Sequence, residues 1–209
     1  MTKAPPQVNI EIPQLTTQTI QITLIGDSEL ISHAWSQKAK EMMLNKQMKK
    51  ADKGREAKDP FMDYCESLYW LTKMPKKPTP ATVKKAKFGM PAVAFKNAAV
   101  NACSQVSTLT KVNARAAFHI ENEFIEILGK PEMREDMVRV GMGTADIRYR
   151  GGFKEWKAKV TVVFNPLVLS AEQIVNLFNI AGFGIGIGDW RPQKNGSYGR
   201  FHVALEGES

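Results

Sequence analysis

The sequence has few of the residues that metal sites and disulfide frameworks require. Its 209 residues include two cysteines, Cys65 and Cys103, and three histidines, His33, His119 and His202. None of them has a partner at metal-ligand spacing, and two distant cysteines form no disulfide framework. The sequence therefore predicts no metal site and no cofactor.

Long apolar runs are also absent. The opening stretch MTKAPPQVNIEIPQ is polar and contains proline, so it lacks the apolar core of a signal peptide. No later run approaches the roughly 18 apolar residues that span a bilayer. The sequence predicts a cytoplasmic protein without a membrane partner.

Residues that could catalyse a reaction are scarce. The three histidines have no acidic partner that the sequence identifies, and the carboxylates form no cluster of the kind that a two-metal nuclease uses. The sequence therefore predicts a protein that is not an enzyme.

Positive charge is what the chain has in excess. The formal net charge is +8 and the sequence pI is about 9.5, which favours nucleic acid or an anionic surface without choosing between them. Two stretches supply much of the excess. Lys49–Pro60 has too few apolar groups to fold alone, so we expect a mobile basic loop. Lys73–Lys87 contains six lysines, three prolines and no acidic residue.

Hydrophobic periodicity predicts a series of strands and helices. Thr19–Ile25 alternates as a half-buried strand does, and helical spacing follows from Ser28 to about Met48, with Asp27 or Ser28 as the N-cap. The further predicted elements are a helix from Pro91, strands over Ala114–Ile120 and Glu123–Leu128, a hairpin of Ala145–Tyr149 and Ala158–Phe164 around Gly151–Gly152, a helix capped by Ser170 with Ile174, Leu177, Phe178 and Ala181 on one face, and a last strand over Arg200–Leu205.

The order of these elements indicates an α+β fold. Strand, long insertion, helix, strands, helix, loop and strand give the βαββαβ order of a ferredoxin-like (RRM-like) sheet. We expect residues 1–18 to form an N-terminal arm and residues 19–209 a single domain, in which residues 28–88 are a helical, lysine-rich insertion. The aromatic-rich strands of an ordinary RRM are missing.

A glycine-rich loop precedes the last strand. Six of the twenty residues of Gly182–Phe201 (GFGIGIGDWRPQKNGSYGRF) are glycine, which permits positive φ and close backbone approach. Basic and aromatic side chains lie between the glycines, a combination that suits a flexible polyanion. The loop follows a predicted helix rather than a strand, which is the wrong context for a Rossmann dinucleotide site.

Candidate nucleic-acid-binding residues follow from this composition. Arg191, Lys194 and Arg200 would neutralise phosphates, and Trp190 and Tyr198 would stack on bases, each stack contributing about 1–3 kcal/mol. The complete set is Gly184, Gly186, Gly188, Trp190, Arg191, Lys194, Ser197, Tyr198 and Arg200, with Lys96, Arg148 and Arg150 as a second basic set. The alternatives are a packed tryptophan, glycines that only shape a turn, and ordinary surface charge in the second set.

Two segments resemble a known family. The stretch IGDWRPQKNGSYGRFHV resembles the glycine-rich signature of the RAMP superfamily, the CRISPR-associated RNA-binding proteins, and FGMPAVAFKNAA resembles the proline-led start of their first helix. The likeness is nearest to the CRISPR backbone-subunit type. The stretches HAWSQKAKEMM and MREDMVRVGMGTADIRYRG also resemble phage and prophage proteins, which implies a bacterial host cytoplasm.

The RAMP resemblance implies a protein that holds single-stranded RNA along its sheet and insertion and forms a homo-oligomer or filament on that strand. Some RAMP-type subunits use an insertion aspartate to cleave RNA, for which Asp59 and Asp63 are the candidates, although Asp59–Pro60 is also a common turn. RNA is favoured over DNA. A phage single-stranded DNA-binding or annealing protein, and an interaction module that mimics a CRISPR subunit as an inhibitor does, remain open alternatives.

Overall fold

The computed structural model describes residues 12–50, 57–106, 108–140 and 143–208. Its strands are β1 (Gln18–Gly26), β2 (Leu30–Ser32), β3 (Tyr69–Trp70), β4 (Phe88–Pro91), β5 (Phe118–Ile120), β6 (Phe124–Val140), β7 (Thr144–Phe164) and β8 (Phe201–Val203). Its helices are α1 (Gln37–Gln47), α2 (Pro60–Glu66), α3 (Pro80–Lys85), α4 (Ala92–Ala102), α5 (Lys111–Ala117) and α6 (Ala171–Gly184).

The strands form one antiparallel sheet. Its order is β3-β4-β6-β7-β1-β8, and β2 and β5 also pair with β7. The long strand β7 organises the sheet, because it pairs with β1 from Gln18↔Phe164 to Ile25↔Lys157 and with β6 over most of its length. The chain therefore has the α+β architecture that the sequence predicts.

Helix α6 forms as the sequence predicts. The Ser170 hydroxyl accepts a hydrogen bond from the Gln173 N–H, and the Gln173 side chain accepts one from the Ser170 N–H. This reciprocal capping satisfies two N–H groups that would otherwise lack a partner at the helix start. The predicted apolar face is buried against the core, which it shares with α4.

The predicted helix from Ser28 to Met48 is wrong in its first half. Leu30, Ile31 and Ser32 form β2, are fully buried and pair with Gly151–Phe153 of β7. The N-cap of α1 is Ser36, whose hydroxyl accepts from the Ala39 N–H, and neither Asp27 nor Ser28 caps it. Pairing with the sheet has overridden the local helical pattern.

Two further element predictions need correction. Ala114–Ala117 belongs to α5, which Thr110 caps, so only Phe118–Ile120 of that predicted strand is extended. Both arms of the predicted hairpin lie on β7, with Gly151 and Gly152 in mid-strand. These glycines make room for neighbours, since added side chains would collide with Leu68 and with the Glu29 carboxylate. The predicted turn at these glycines is therefore wrong, because they serve close packing within a continuous strand.

Residues 28–88 combine sheet and helix. Within this segment β2 and β3 join the sheet and α2 packs on β7, whereas α1 has no buried residue. Residues 51–56 of the predicted mobile loop lie outside the described residues. The lysine-rich stretch after Lys73 contains α3, which begins with a capping box of Thr79 and Thr82. Among the described residues, no helix has the length and apolar character needed to cross a membrane.

Candidate nucleic-acid interface

The glycine-rich loop after α6 is folded tightly on itself. Gly186, Gly188 and Gly199 have φ values of 67°, 77° and 63°, in the region that favours glycine. The Ile187 N–H donates to the Gly199 carbonyl at 3.0 Å, and a side chain at Gly199 would collide with the Ile187 backbone. The glycines therefore allow the two arms of the loop to approach each other.

Backbone N–H groups of the loop also donate to residues 28–31, which lead into and form part of β2. The Asp189 N–H donates to the Ile31 carbonyl at 3.1 Å and the Gly199 N–H to the Glu29 carbonyl at 2.8 Å. The Arg200 N–H donates to the Ser28 hydroxyl at 3.0 Å. Because these three N–H groups already have acceptors, they are not available to a bound phosphate.

A network of charged side chains lies beneath the loop. Arg150, only 2% exposed, donates to Asp136 at 2.8 Å and to Asp189 at 2.6 Å. The Arg134 guanidinium forms ion pairs with Asp136 at 2.9 Å and with Glu29 at 2.5 Å. Burial raises the pKa of Asp136, but hydrogen bonds from Arg134 and Arg150 outweigh it, so this pKa is lowered and the carboxylate stays ionised. The network joins four separate segments of the chain.

The two loop aromatics rest on this network. The ring centroids of Trp190 and Tyr198 are 5.9 Å apart. The Arg150 guanidinium lies 4.3 Å from the Trp190 centroid and the Arg134 guanidinium 4.8 Å from that of Tyr198. One face of each ring is thus occupied by a cation. Both side chains are half-buried, and stacking of bases on them stays a prediction.

A groove of about 360 Å³ separates the loop from one side of α4, along which it extends from Pro91 to Asn101. Its polar lining consists of His33, Tyr69, Asn97, Asn101, Asp189, Arg191 and Gln193. The Asp189 carboxylate is paired with His33 at 2.8 Å and with Arg150 at 2.6 Å. We call it the α4–loop groove. The segment FGMPAVAFKNAA and the glycine-rich loop form its opposite walls, so the two motifs that the sequence singles out meet at one site.

Arg191 is held at this groove. Its Nη1 donates to the Gly188 carbonyl at 3.0 Å, and its Nε lies 3.3 Å from the Gln193 side-chain oxygen. A guanidinium carries five N–H donors in a fixed plane, so further donors remain for a phosphate. Of the predicted basic residues in the loop, Arg191 is the one that lines the groove together with Gly186 and Gly188.

The other predicted loop residues lie outside the groove lining. Lys194 and Ser197 are exposed. Arg200 is half-buried, and its Nε is buried without a hydrogen-bond partner among the described residues. At Gly184 an added side chain would meet the Gln105 amide. Their binding roles stay predictions.

The second basic set does not form one patch. Lys96 lies in a separate cleft, 3.1 Å from His119 Nδ1, and burial lowers its pKa. Arg148 pairs with Asp146 at 3.6 Å. Arg150 belongs to the buried network, so it holds the loop in place and is not free surface charge.

Sequence reasoning missed several residues of this site. Asn97 and Asn101 follow Pro91 at helical i, i+4 spacing, and that polar stripe on an apolar helix was a signal that could have been read. His33 and Tyr69 come from the insertion, and no local pattern connects them with a loop more than a hundred residues later.

The sheet face opposite α4 and α6 is a second basic surface. Trp156, Ala158 and Val160 of β7 point into the core, so the alternate residues Lys157 and Lys159 point away from it. In the described parts of β1 and β7 this face carries no aromatic side chain. It therefore lacks the base-stacking platform of an RRM.

His202 provides a pH-dependent contact near this face. Its Nδ1 lies 2.6 Å from Asp27 and its Nε2 3.4 Å from Glu208. Partial burial lowers the His202 pKa, but the hydrogen bond and charge of Asp27, with Glu208, outweigh it, so the net pKa is raised.

We expect this contact to stabilise the protein most at acid pH. A raised pKa in the folded state contributes stability that is fully present below about pH 6.5 and lost as the pH rises through the folded pKa. Urea unfolding between pH 5.5 and 8.5 should show this fall in the free energy of unfolding for the native chain and a flatter profile for His202→Gln. Identical profiles would exclude the contribution.

No protein-family model matches the sequence, and a search of curated proteins gives no match either. Among solved structures, Cmr6 from Pyrococcus furiosus is similar, with 11% identity and a TM-score of 0.44 over 91% of this chain and 100% of that one. A chain of the type III-B Cmr-beta bound to cognate target RNA has 9% identity and a TM-score of 0.46 over 90% of this chain and 59% of that one. At these values neither likeness assigns a family, and the phage resemblance stays a prediction.

Proposed function

We propose that this chain is a non-catalytic, single-stranded RNA-binding protein of the RAMP type that assembles side by side along its ligand. The observation that carries the proposal is the α4–loop groove, where a fixed guanidinium, three amide side chains and a tyrosine converge. The one carboxylate in its lining, Asp189, is neutralised by its ion pair with Arg150. A net charge of +8 adds long-range attraction for a polyanion.

The strand order supports the ferredoxin-like part of this proposal. Since β7 lies between β1 and β6 and is antiparallel to both, β1 and β6 are parallel to each other. Helix α4 lies between them in the chain, which is the arrangement of a split βαβ unit. Likewise β8 is parallel to β7, with α6 between them in the chain and β1 between them in the sheet.

A single strand fits the groove chemistry better than a duplex. Sequence-specific RNA recognition uses unstacked bases whose edges meet polar side chains and whose faces stack on aromatic rings. Asn97, Asn101 and Gln193 can donate to and accept from base edges, while Arg191 can bind phosphate bidentately. In a duplex the Watson–Crick edges are engaged in base pairing and are not available to these side chains.

The local role of Asp59 supports the non-catalytic part. Its carboxylate accepts hydrogen bonds from the N–H groups of Phe61 and Met62 and so caps α2. Asp63 lies in the first turn of the same helix. We expect bound RNA to stay intact during prolonged incubation with the protein.

Fluorescence anisotropy with a labelled single-stranded RNA tests this function. We expect saturable binding that weakens as the salt concentration rises. Unlabelled single-stranded RNA should displace the labelled RNA more effectively than single-stranded DNA of equal sequence or duplex RNA does. Equal or better competition by single-stranded DNA would favour the DNA-annealing alternative. A monomer that binds neither polymer would overturn the proposal and favour the interaction module.

A further inference from the structure

Among the described residues, one edge of β7 has no pairing strand near its N-terminal end. The strand β2 covers this edge only at Gly151–Phe153, and in the described chain no strand continues along residues 144–150. On this edge the Gly151 N–H donates to the Ser67 hydroxyl at 2.8 Å, and the Ile147 carbonyl accepts from Lys58. Since backbone groups of alternate residues point to the same edge, the Tyr149 backbone faces outward too.

A cleft of about 420 Å³ runs along this edge. Trp35, which precedes the N-cap of α1, Ala39 in the first turn of α1 and Tyr69 contribute to its walls. Trp35 is 57% exposed and Ile147 is 45% exposed. The edge thus offers outward backbone groups next to uncovered apolar side chains, the combination that receives an added strand.

The chain itself contains a segment with a strand pattern that is suited to this edge. Val8, Ile10 and Ile12 alternate with Asn9 and Glu11, which is typical of a half-buried strand. Proline stands on both sides of the segment, at positions 6 and 13, and limits a strand to residues 7–12. This length matches the unpaired edge at 144–150. Ile12 is 84% exposed.

The segment cannot reach this edge within its own chain. Gln18 is paired with Phe164, at the opposite end of β7 from Tyr149. At about 3.3 Å per residue, these two points of the strand are roughly 50 Å apart. The chain from residue 12 to residue 18 spans at most about 20 Å when fully extended. A segment that adds to this edge must come from another molecule.

We propose that residues 7–12 of one copy add as a strand to the β7 edge of a second copy. Donor and acceptor are different surfaces, so the contact is head-to-tail and can continue into a filament. The cleft shares His33 and Tyr69 with the α4–loop groove, so each contact forms beside that groove. This interface joins neighbouring copies in the assembly that belongs to the proposed function. Its formation does not require RNA.

Lys58 covers part of the acceptor edge. Its ammonium contacts the Ile147 carbonyl and lies 2.7 Å from Asp146. Lysine on an edge strand is a common protection against unwanted pairing, and an incoming strand must displace it. Lys58→Ala therefore strengthens self-association.

Two full-length variants, freed of nucleic acid by nuclease and high salt, test the interface. The donor variant carries Ile10→Asp and Ile12→Asp. The acceptor variant carries Ile147→Pro, which removes an outward-facing N–H that the β6 pairing does not use. By light scattering and sedimentation, the native chain should assemble with rising concentration, and each variant should associate at least about tenfold more weakly.

Mixing the two variants is the decisive step. The donor variant keeps an intact edge and the acceptor variant an intact donor segment, so an equimolar mixture should form a heterodimer and nothing larger. A native chain that stays monomeric, or a donor variant that assembles like it, overturns the interface. If Ile147→Pro lowers the melting temperature, Lys58→Ala tests the acceptor edge in its place. Lys58→Ala should self-associate more strongly than the native chain, and unchanged association counts against the interface. Binding of a short RNA by the donor variant is measured separately, so failure of the interface is distinguishable from failure of RNA binding.

Discussion

Replacing Arg191, Lys194 and Arg200 together with alanine is expected to lower the affinity for single-stranded RNA by about a hundredfold or more at moderate salt. Each lost phosphate contact removes about 0.7 of the slope of log affinity against log salt, so the slope should fall by about 2. Anisotropy titrations at several salt concentrations measure both quantities. Arg191→Ala alone should account for the largest share, because Arg191 lines the α4–loop groove.

A matched control separates the groove from general charge. Lys154→Ala, Lys157→Ala and Lys159→Ala together remove the same charge from β7, outside the groove lining. This control should lose only a few-fold in affinity, because its charges act at a distance through a screened field. An equal or greater loss in the control would place the RNA on the open face of the sheet.

Arg150→Met is expected to be the most damaging single substitution for stability. The free energy of unfolding should fall by about 3–5 kcal/mol, because the change leaves Asp136 buried beside one fewer cation and Asp189 without its partner from β7. Trp190 also loses the guanidinium below its ring. Urea or guanidinium unfolding at neutral pH, followed by circular dichroism, measures the loss.

A second variant identifies the cause of that loss. In Arg150→Met with Asp136→Leu, the uncompensated carboxylate is absent, and Arg134 retains Glu29 as a partner. The double variant should therefore be less destabilised than the sum of the two single variants. A loss below about 1 kcal/mol for Arg150→Met would show that the network contributes little.

Elements governed by local chemistry could be predicted from the sequence. Helix α6 carries both its capping residues and its apolar face within one continuous stretch, and α4 begins beside Pro91 as its spacing indicates. The positive φ values of Gly186, Gly188 and Gly199 are likewise typical of single glycines, whereas the positive φ of Trp190, 52°, is not something its residue type predicts. These features depend on neighbours in sequence, which a pattern can represent.

Features that depend on distant neighbours could not be predicted. Leu30 and Ile31 fit a helical pattern, and only their pairing with β7 makes them a strand. The network under the loop joins Glu29, Arg134 and Arg150 from separate segments, each of which looks like an ordinary surface charge in the sequence. The sequence therefore identified the loop but not the network of charged side chains that holds it in place.

Cross-linking with RNA that carries photoreactive uridines tests most directly where the ligand lies. Irradiation of the complex, digestion and mass spectrometry identify the peptides joined to the RNA. We expect cross-links on both walls of the α4–loop groove, near Tyr69, Asn97 and Arg191. Cross-links confined to the open sheet face around Lys157 and Lys159 would contradict the proposed binding site.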